Sequence, residues 1–193
     1  IESCFVAEKD ISNLIPTLKT FLKTFEQGII TQIATTLFDN GLDLVFIGKK
    51  ALNFSQIQKI TTFAKIENLN ISYRIKNDLT PIFLHRKNQI FYKNLEFKLN
   101  LNSDIFIQAT KSGLEAIINI CRNEINHQKK IIDIYSGFGA YTFAIQDLSS
   151  TILAVEGDEN MVNLIKKNAA ENNLSNKIKA ETHDLFSSPI KGK

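Results

Sequence analysis

Two short, unbroken apolar runs dominate the hydrophobic pattern, Ile131 to Ile134 and Ile152 to Val155. The first stops at a Gly-x-Gly turn, Gly137 and Gly139; an apolar helical stretch follows, and the second run ends on Glu156. Continuous apolar runs bounded by turn residues predict buried parallel strands, and parallel neighbours need a crossover, usually a helix. Strand, glycine turn, helix and strand with an acid at its tip predict an α/β fold. The expected architecture is a doubly wound, Rossmann-like sheet with a ligand at the carboxyl ends of its strands.

Upstream the periodicity changes. Leu14, Leu18, Phe21, Leu22 and Phe25 recur at helical spacing, predicting a helix over 10–25 with Ser12 or Asn13 as its cap and Pro16 tolerable only in its first turn. Ile29 to Phe38 and Leu42 to Ile47 are β-rich runs joined at Asp39-Asn40-Gly41, a hairpin signal because a type I′ turn through Asn-Gly needs positive φ at both central residues. Ser55 is expected to cap a second helix through Ile57, Ile60, Phe63 and Ala64. Residues 70–76 alternate as a half-exposed strand, and residues 89–101 alternate again. This order makes residues 1–102 a small α+β domain, and 103–193 the N-terminal part of the Rossmann-like one. A helix from Ser112 to Ile125, burying Leu114, Ile117, Ile118 and Cys121, leads into the glycine turn. The chain starts without Met and stops after the opening strands of the sheet, so it reads as part of a longer protein.

Composition changes this picture little. Hydrophobic residues at 44% suffice for a buried core, and a net charge of +3 permits nucleic acid without demanding it. Three His, two Cys and no Trp leave few residues for metal or redox chemistry. With no long apolar span and no leader-like start, the expectation is a soluble, cytoplasmic protein with reduced thiols and no membrane partner.

The glycine turn carries the candidate chemistry. Gly137 and Gly139 can take positive φ and let a ligand approach the backbone. Glu156 lies roughly twenty residues on, where an acid in such a unit accepts hydrogen bonds from ribose hydroxyls. A dinucleotide fingerprint would place a third glycine where this chain has Thr142, so an adenosyl group without phosphates suits the turn better than NAD. An ordinary tight βα turn is the plain alternative.

Further motifs narrow the field. Phe106-Ile107-Gln108-Ala109-Thr110, the helix after it, Asp133-Ile134-Tyr135-Ser136-Gly137-Phe138-Gly139, and Ala154-Val155-Glu156-Gly157-Asp158 before a helix with Asn168, Asn172 and Asn173 together resemble the RNA uracil-5-methyltransferase family, which makes 5-methyluridine in ribosomal and transfer RNA. That family shows an F-x-Q-x-N box ahead of a D-L-[FY]-[CS]-G-x-G turn. Phe106 and Gln108 match the box, and Thr110 replaces its Asn. Over 1–103 the likeness is one of layout only.

The resemblance implies a class I fold binding S-adenosylmethionine, a monomer, and an RNA partner, ribosomal ahead of transfer RNA. By position, Gln108 reaches the methionine part of the cofactor, Tyr135 with the Gly137 and Gly139 backbone lines the pocket, Glu156 holds the ribose, and Asp184 approaches the adenine amino group. Ala140 stands where many relatives have a cofactor-contacting Asn. The family's nucleophilic cysteine and base lie downstream of Lys193, so the resemblance implies no catalytic residue in this chain and an inactive fragment; Cys121 reads as core. Members with a [4Fe-4S] cluster have a cysteine placed as Cys4 is, although a cubane wants four thiolates.

Other residues have plainer readings. His85, His127 and His183 read as surface imidazoles, and Lys166 and Lys167 as a solvated helix face. Arg74, Lys76, His85, Arg86, Lys87 and Lys93 form either a basic face for RNA phosphates or a solvated sheet face. A methyltransferase of the same fold acting on a non-RNA substrate, and a noncatalytic RNA-binding relative, remain as alternatives.

Overall fold

The structure, a computed structural model, describes residues 2–78, 80–108 and 110–189. Ala109 of the Phe-x-Gln stretch and residues 190–193 of the second expected domain lie outside the described residues. The chain divides into two compact units, Ile1–Phe91 with Asn102–Thr110, and Tyr92–Leu101 with Lys111–Lys193. Tyr92–Leu101 and residues 103–110 thus fall in the units opposite to those in which a single division after residue 102 would put them.

The first unit contains α1 (Lys9–Leu22), β1 (Gln32–Phe38), β2 (Gly41–Gly48), α2 (Phe54–Ile66), β3 (Asn70–Ile75) and β4 (Ile82–His85). Its sheet runs β1-β2-β3-β4, antiparallel except for the parallel β2/β3 pair. Leu44, Phe46, Ile71 and Tyr73 form one cluster with Leu14 and Phe21 of α1 and Ile60, Phe63 and Ala64 of α2. The rings of Phe21 and Phe63 stack at 3.9 Å. Burying each such large side chain contributes roughly 1.5–3 kcal/mol, which outweighs local propensities here.

That packing overrides several local signals. α1 starts before Ser12, with Glu8 at the N-cap, and the Ser12 hydroxyl instead accepts from the Cys4 backbone N–H at 3.0 Å. Pro16 consequently sits in the helix interior rather than its first turn. In the hairpin Phe38 pairs with Gly41, so the turn is Asp39-Asn40 and not Asn40-Gly41; only Gly41 has positive φ, and Asn40 is drawn away to donate to the Gln89 carbonyl. Asn53, not Ser55, caps α2, through a reciprocal capping box with Gln56. β3 is buried over Asn70–Tyr73 rather than half-exposed, with Ile71 and Tyr73 packed in the cluster with α1 and α2.

In the second unit, β5 (Phe91–Asn94) and β6 (Phe97–Asn100) pair with each other as a two-stranded sheet. Then come α3 (Lys111–Glu124), β7 (Gln128–Ile134), the short α4 (Ala140–Ala144), β8 (Ser149–Glu156), α5 (Glu159–Glu171) and β9 (Ile178–Thr182). β7, β8 and β9 are parallel and adjacent in chain order, with Ile131 opposite Ile152 and Ile152 opposite Ile178. This is the βαβαβ half that the apolar runs predict. β8 is the buried strand; on β7, Ile132 and Ile134 are each 52% exposed. α3 buries Leu114 and Ile118, while Ile117 faces outward and Cys121 packs beside Ile145, Leu148 and Ile152.

Candidate adenosyl-binding site

The site is built at the carboxyl ends of β7, β8 and β9. β7 delivers Tyr135, whose φ of 57° places a non-glycine residue in the left-handed region; such backbone strain persists only where the surroundings enforce it, often at ligand sites. Gly137 (φ 54°) and Gly139 (φ 89°) follow, and the Gly139 N–H closes the turn on the Ser136 carbonyl at 2.9 Å. A Cβ at Gly139 would lie 3.1 Å from Ile165 and 3.2 Å from Phe143, whereas one at Gly137 would meet nothing within 4 Å. Gly139 therefore serves close packing, and Gly137 leaves the face of the turn open.

Thr142, where a dinucleotide turn would carry its third glycine, is fully buried and donates its hydroxyl to the Asp133 carboxylate at 2.5 Å. That bond ties the start of α4 to the end of β7. Burial pushes the Asp133 carboxyl above its ordinary range and the nearby Glu156 charge adds to this, while the Thr142 hydroxyl opposes it. Ala140 is buried, and its carbonyl accepts from the Asn94 side-chain amide at 2.5 Å.

β8 ends on Glu156, whose carboxylate folds back onto the turn. One oxygen accepts from the Gly137 N–H at 2.8 Å, the other from Gly157 at 2.7 Å and Asp158 at 3.2 Å. The next strand is joined at the same level, because the His183 N–H donates to the Glu156 carbonyl at 2.9 Å. Asp184, just beyond β9, accepts from the Phe186 and Ser187 backbone and from the Ser187 hydroxyl, which holds its carboxyl below the usual range. Phe186, 88% exposed, brings its ring 5.5 Å from that of the half-exposed Tyr135.

Tyr135, Gly137, Gly139, Glu156 and Asp184 are thus together in the second unit. Gln108 and the 81% exposed Phe106 belong to the 102–110 segment of the first. The sequence reading missed Phe186, Asp133 and Asn168. An aromatic ring in the polar stretch Asp184-Leu185-Phe186-Ser187-Ser188 was the available signal for Phe186. Asn168, buried inside α5, pairs its amide with both the N–H and the carbonyl of Asn100, fastening β6 to the helix.

Other candidates disperse. Among the described residues no three His, Cys, Asp or Glu side chains gather as a metal site, so Cys4 alone does not fit a cluster. Arg74 is held by Asp104 at 2.6 Å, and Lys93 belongs to the second unit. No helix among the described residues is long and apolar enough to cross a membrane.

No protein-family model matches the chain. It is 24% identical over 189 residues to the 23S rRNA (uracil(1939)-C(5))-methyltransferase RlmD of Acidithiobacillus ferrooxidans, covering 94% of this chain and 43% of that protein. Identity to the RlmD of Shewanella piezotolerans is 26% over 174 residues, 88% of this chain and 39% of that one. The chain resembles the RNA uracil-5-methyltransferases. It spans well under half the length of these two relatives. The fold agrees with the family likeness: the Pyrococcus abyssi tRNA (uracil-54, C5)-methyltransferase, solved with S-adenosyl-L-homocysteine, superposes with a TM-score of 0.70 at 15% identity, over 100% of this chain and 51% of that one. Methanocaldococcus jannaschii Trm5, solved with adenosine, gives 0.56 at 14% identity, over 96% and 55%. The Rossmann-like methyltransferase fold expected from the glycine turn is the fold observed.

Proposed function

We propose that the chain is the S-adenosylmethionine-binding portion, with its accompanying α+β unit, of a methyltransferase acting on carbon 5 of uridine in RNA, ribosomal ahead of transfer RNA. The observation that carries this reading is the Glu156 carboxylate held on the open Gly137 turn, at the ends of parallel strands, in a chain whose relatives over the same span are 23S rRNA uracil methyltransferases.

The residues present fit the cofactor. A carboxylate has about four acceptor positions; Glu156 uses three on backbone N–H groups, leaving capacity for a ribose hydroxyl. When bound, S-adenosylmethionine supplies an electrophilic methyl group on a sulfonium. Glu156 holds the ribose, Tyr135 and the Gly137 to Gly139 backbone line the pocket, and Asp184 accepts from the adenine amino group. Cys121, packed into an aliphatic cluster, is a core residue and not the nucleophile. The chain binds its cofactor as a monomer in the cytoplasm, without transferring the methyl group by itself. A cluster through Cys4 would need three thiolates from outside this chain.

Calorimetric titration with S-adenosylhomocysteine, S-adenosylmethionine and NADH tests the reading, with Glu156→Ala as control. Binding of both adenosyl ligands but not NADH, weakened about tenfold or more in Glu156→Ala by loss of charge-assisted hydrogen bonds, is the expected result. No adenosyl binding by a folded sample refutes it.

A further inference from the structure

At the end of β4 the chain carries an aromatic ring, a guanidinium and consecutive basic residues that the cofactor site leaves unused. Ile82 is 71% exposed and Phe83 44%, on a strand that has one sheet neighbour, β3. The Arg86 guanidinium sits over Phe83, its carbon 3.7 Å from the ring centroid. The guanidinium is steadied by the Gln89 side chain at 3.1 Å, and the Lys87 N–H donates to the Asn70 side chain at 2.8 Å. Residues 86–89 are exposed. In the same unit Asp104 pairs with Arg74, and Asp43 is buried and bonded to Ser103. The Arg86 guanidinium thus sits on an exposed ring, while Asp43, whose carboxylate its charge favours, is buried beneath the surface.

An exposed aromatic ring with a guanidinium stacked on it presents flat, cationic surface. A solvated salt-bridge face would lack the ring, and a protein-docking patch would gain little from three consecutive basic positions, His85, Arg86 and Lys87. Unpaired nucleotides offer the complement, a π-face for the ring or guanidinium plane and a phosphate for the charge. Duplex RNA does not, because its bases are stacked away. We propose that Phe83 and Arg86 form a stacking platform for an unpaired base of the RNA substrate, with Lys87 on the flanking phosphate. This rests on the reading of RNA as the substrate class, yet it is tested without the cofactor.

The probe is a fluorescein-labelled, uridine-rich single-stranded 12-mer, compared by anisotropy with a duplex of the same length and with polyglutamate. Phe83→Ala is expected to weaken single-strand binding about tenfold, within the range for losing one stacked base, leaving duplex binding and the salt slope unchanged. Phe83→Trp restores the affinity. Arg86→Lys, which keeps the charge and loses the plane, falls between wild type and Arg86→Ala. The platform is overturned if Phe83→Ala matches wild type on the single strand, if it weakens single strand and duplex alike, if polyglutamate competes as well as RNA, or if the wild-type chain does not bind the single strand. S-adenosylhomocysteine titration of each variant reports on the cofactor site and folding separately, so failure of the platform and failure of the methyltransferase reading are told apart.

Discussion

Asp43 on β2 gives a pH-dependent stability whose sign and size follow from its surroundings. The residue is 2% exposed; one carboxylate oxygen accepts from the Ser103 hydroxyl at 2.8 Å, and the other has no partner. Burial pushes its carboxyl from 3.8 up to about 6, with Asp104 adding and Ser103 and Arg86 opposing. The folded chain therefore holds this proton more tightly than the unfolded chain. Stability from the protonated form is fully present below the unfolded value and is lost as pH rises through about 6. A shift of this size corresponds to about 3 kcal/mol between acid and neutral pH. Asn in place of Asp is neutral throughout and keeps the carbonyl acceptor for Ser103. Asp43→Asn should thus resemble wild type near pH 4 and exceed it by about 2–3 kcal/mol at pH 8. Urea unfolding from pH 4 to 8, followed by far-UV circular dichroism because the chain has no Trp, measures the difference. Parallel pH profiles for the two proteins would refute the assignment of the buried charge to Asp43.

Three further outcomes follow from the second unit. Gly139→Ala combines a left-handed φ with contacts at 3.1–3.2 Å and should cost about 2–4 kcal/mol, whereas Gly137→Ala, with open space, should cost about 1–2 kcal/mol and chiefly affect ligand access; equal losses of thermal stability contradict this. Asn168→Ala strips both bonds to the Asn100 backbone and should destabilise by about 2–3 kcal/mol in urea; a loss below half a unit of kcal/mol would mean that water replaces the amide. The chain incubated with S-adenosylmethionine and uridine-containing RNA should form no 5-methyluridine, and its detection by mass spectrometry would show that a nucleophile has been overlooked.

The β7–α4–β8 unit was readable from sequence because its signal is local and redundant. Two apolar runs, two glycines and an acid at the right spacing each demand the same geometry, and the structure shows the parallel strands and the positive φ at both glycines; the bond from the Gly137 N–H to the Glu156 carboxylate was not foreseen. Signals with competitors were read less well. Ser12 and Ser55 are good caps by type, yet Glu8 and Asn53 start the helices: the Asn53–Gln56 capping box is a stronger local signal than Ser55, and the Ser12 hydroxyl is used by the Cys4 N–H. The Asn40-Gly41 turn lost to a contact 49 residues away, from Asn40 to Gln89.

The sequence by itself therefore determined the secondary-structure order around the glycine turn, the parallel crossover and the residue types available to an adenosyl group, because these follow from periodicity and from the φ that glycine permits. Only the tertiary structure decided that Thr142 belongs to Asp133 and Asn168 to Asn100, that β3 is buried on both faces while β7 is not, and that Arg86 lies on Phe83. Those outcomes depend on which faces other elements cover and which polar groups lose water together, and no local stretch of chain carries that information.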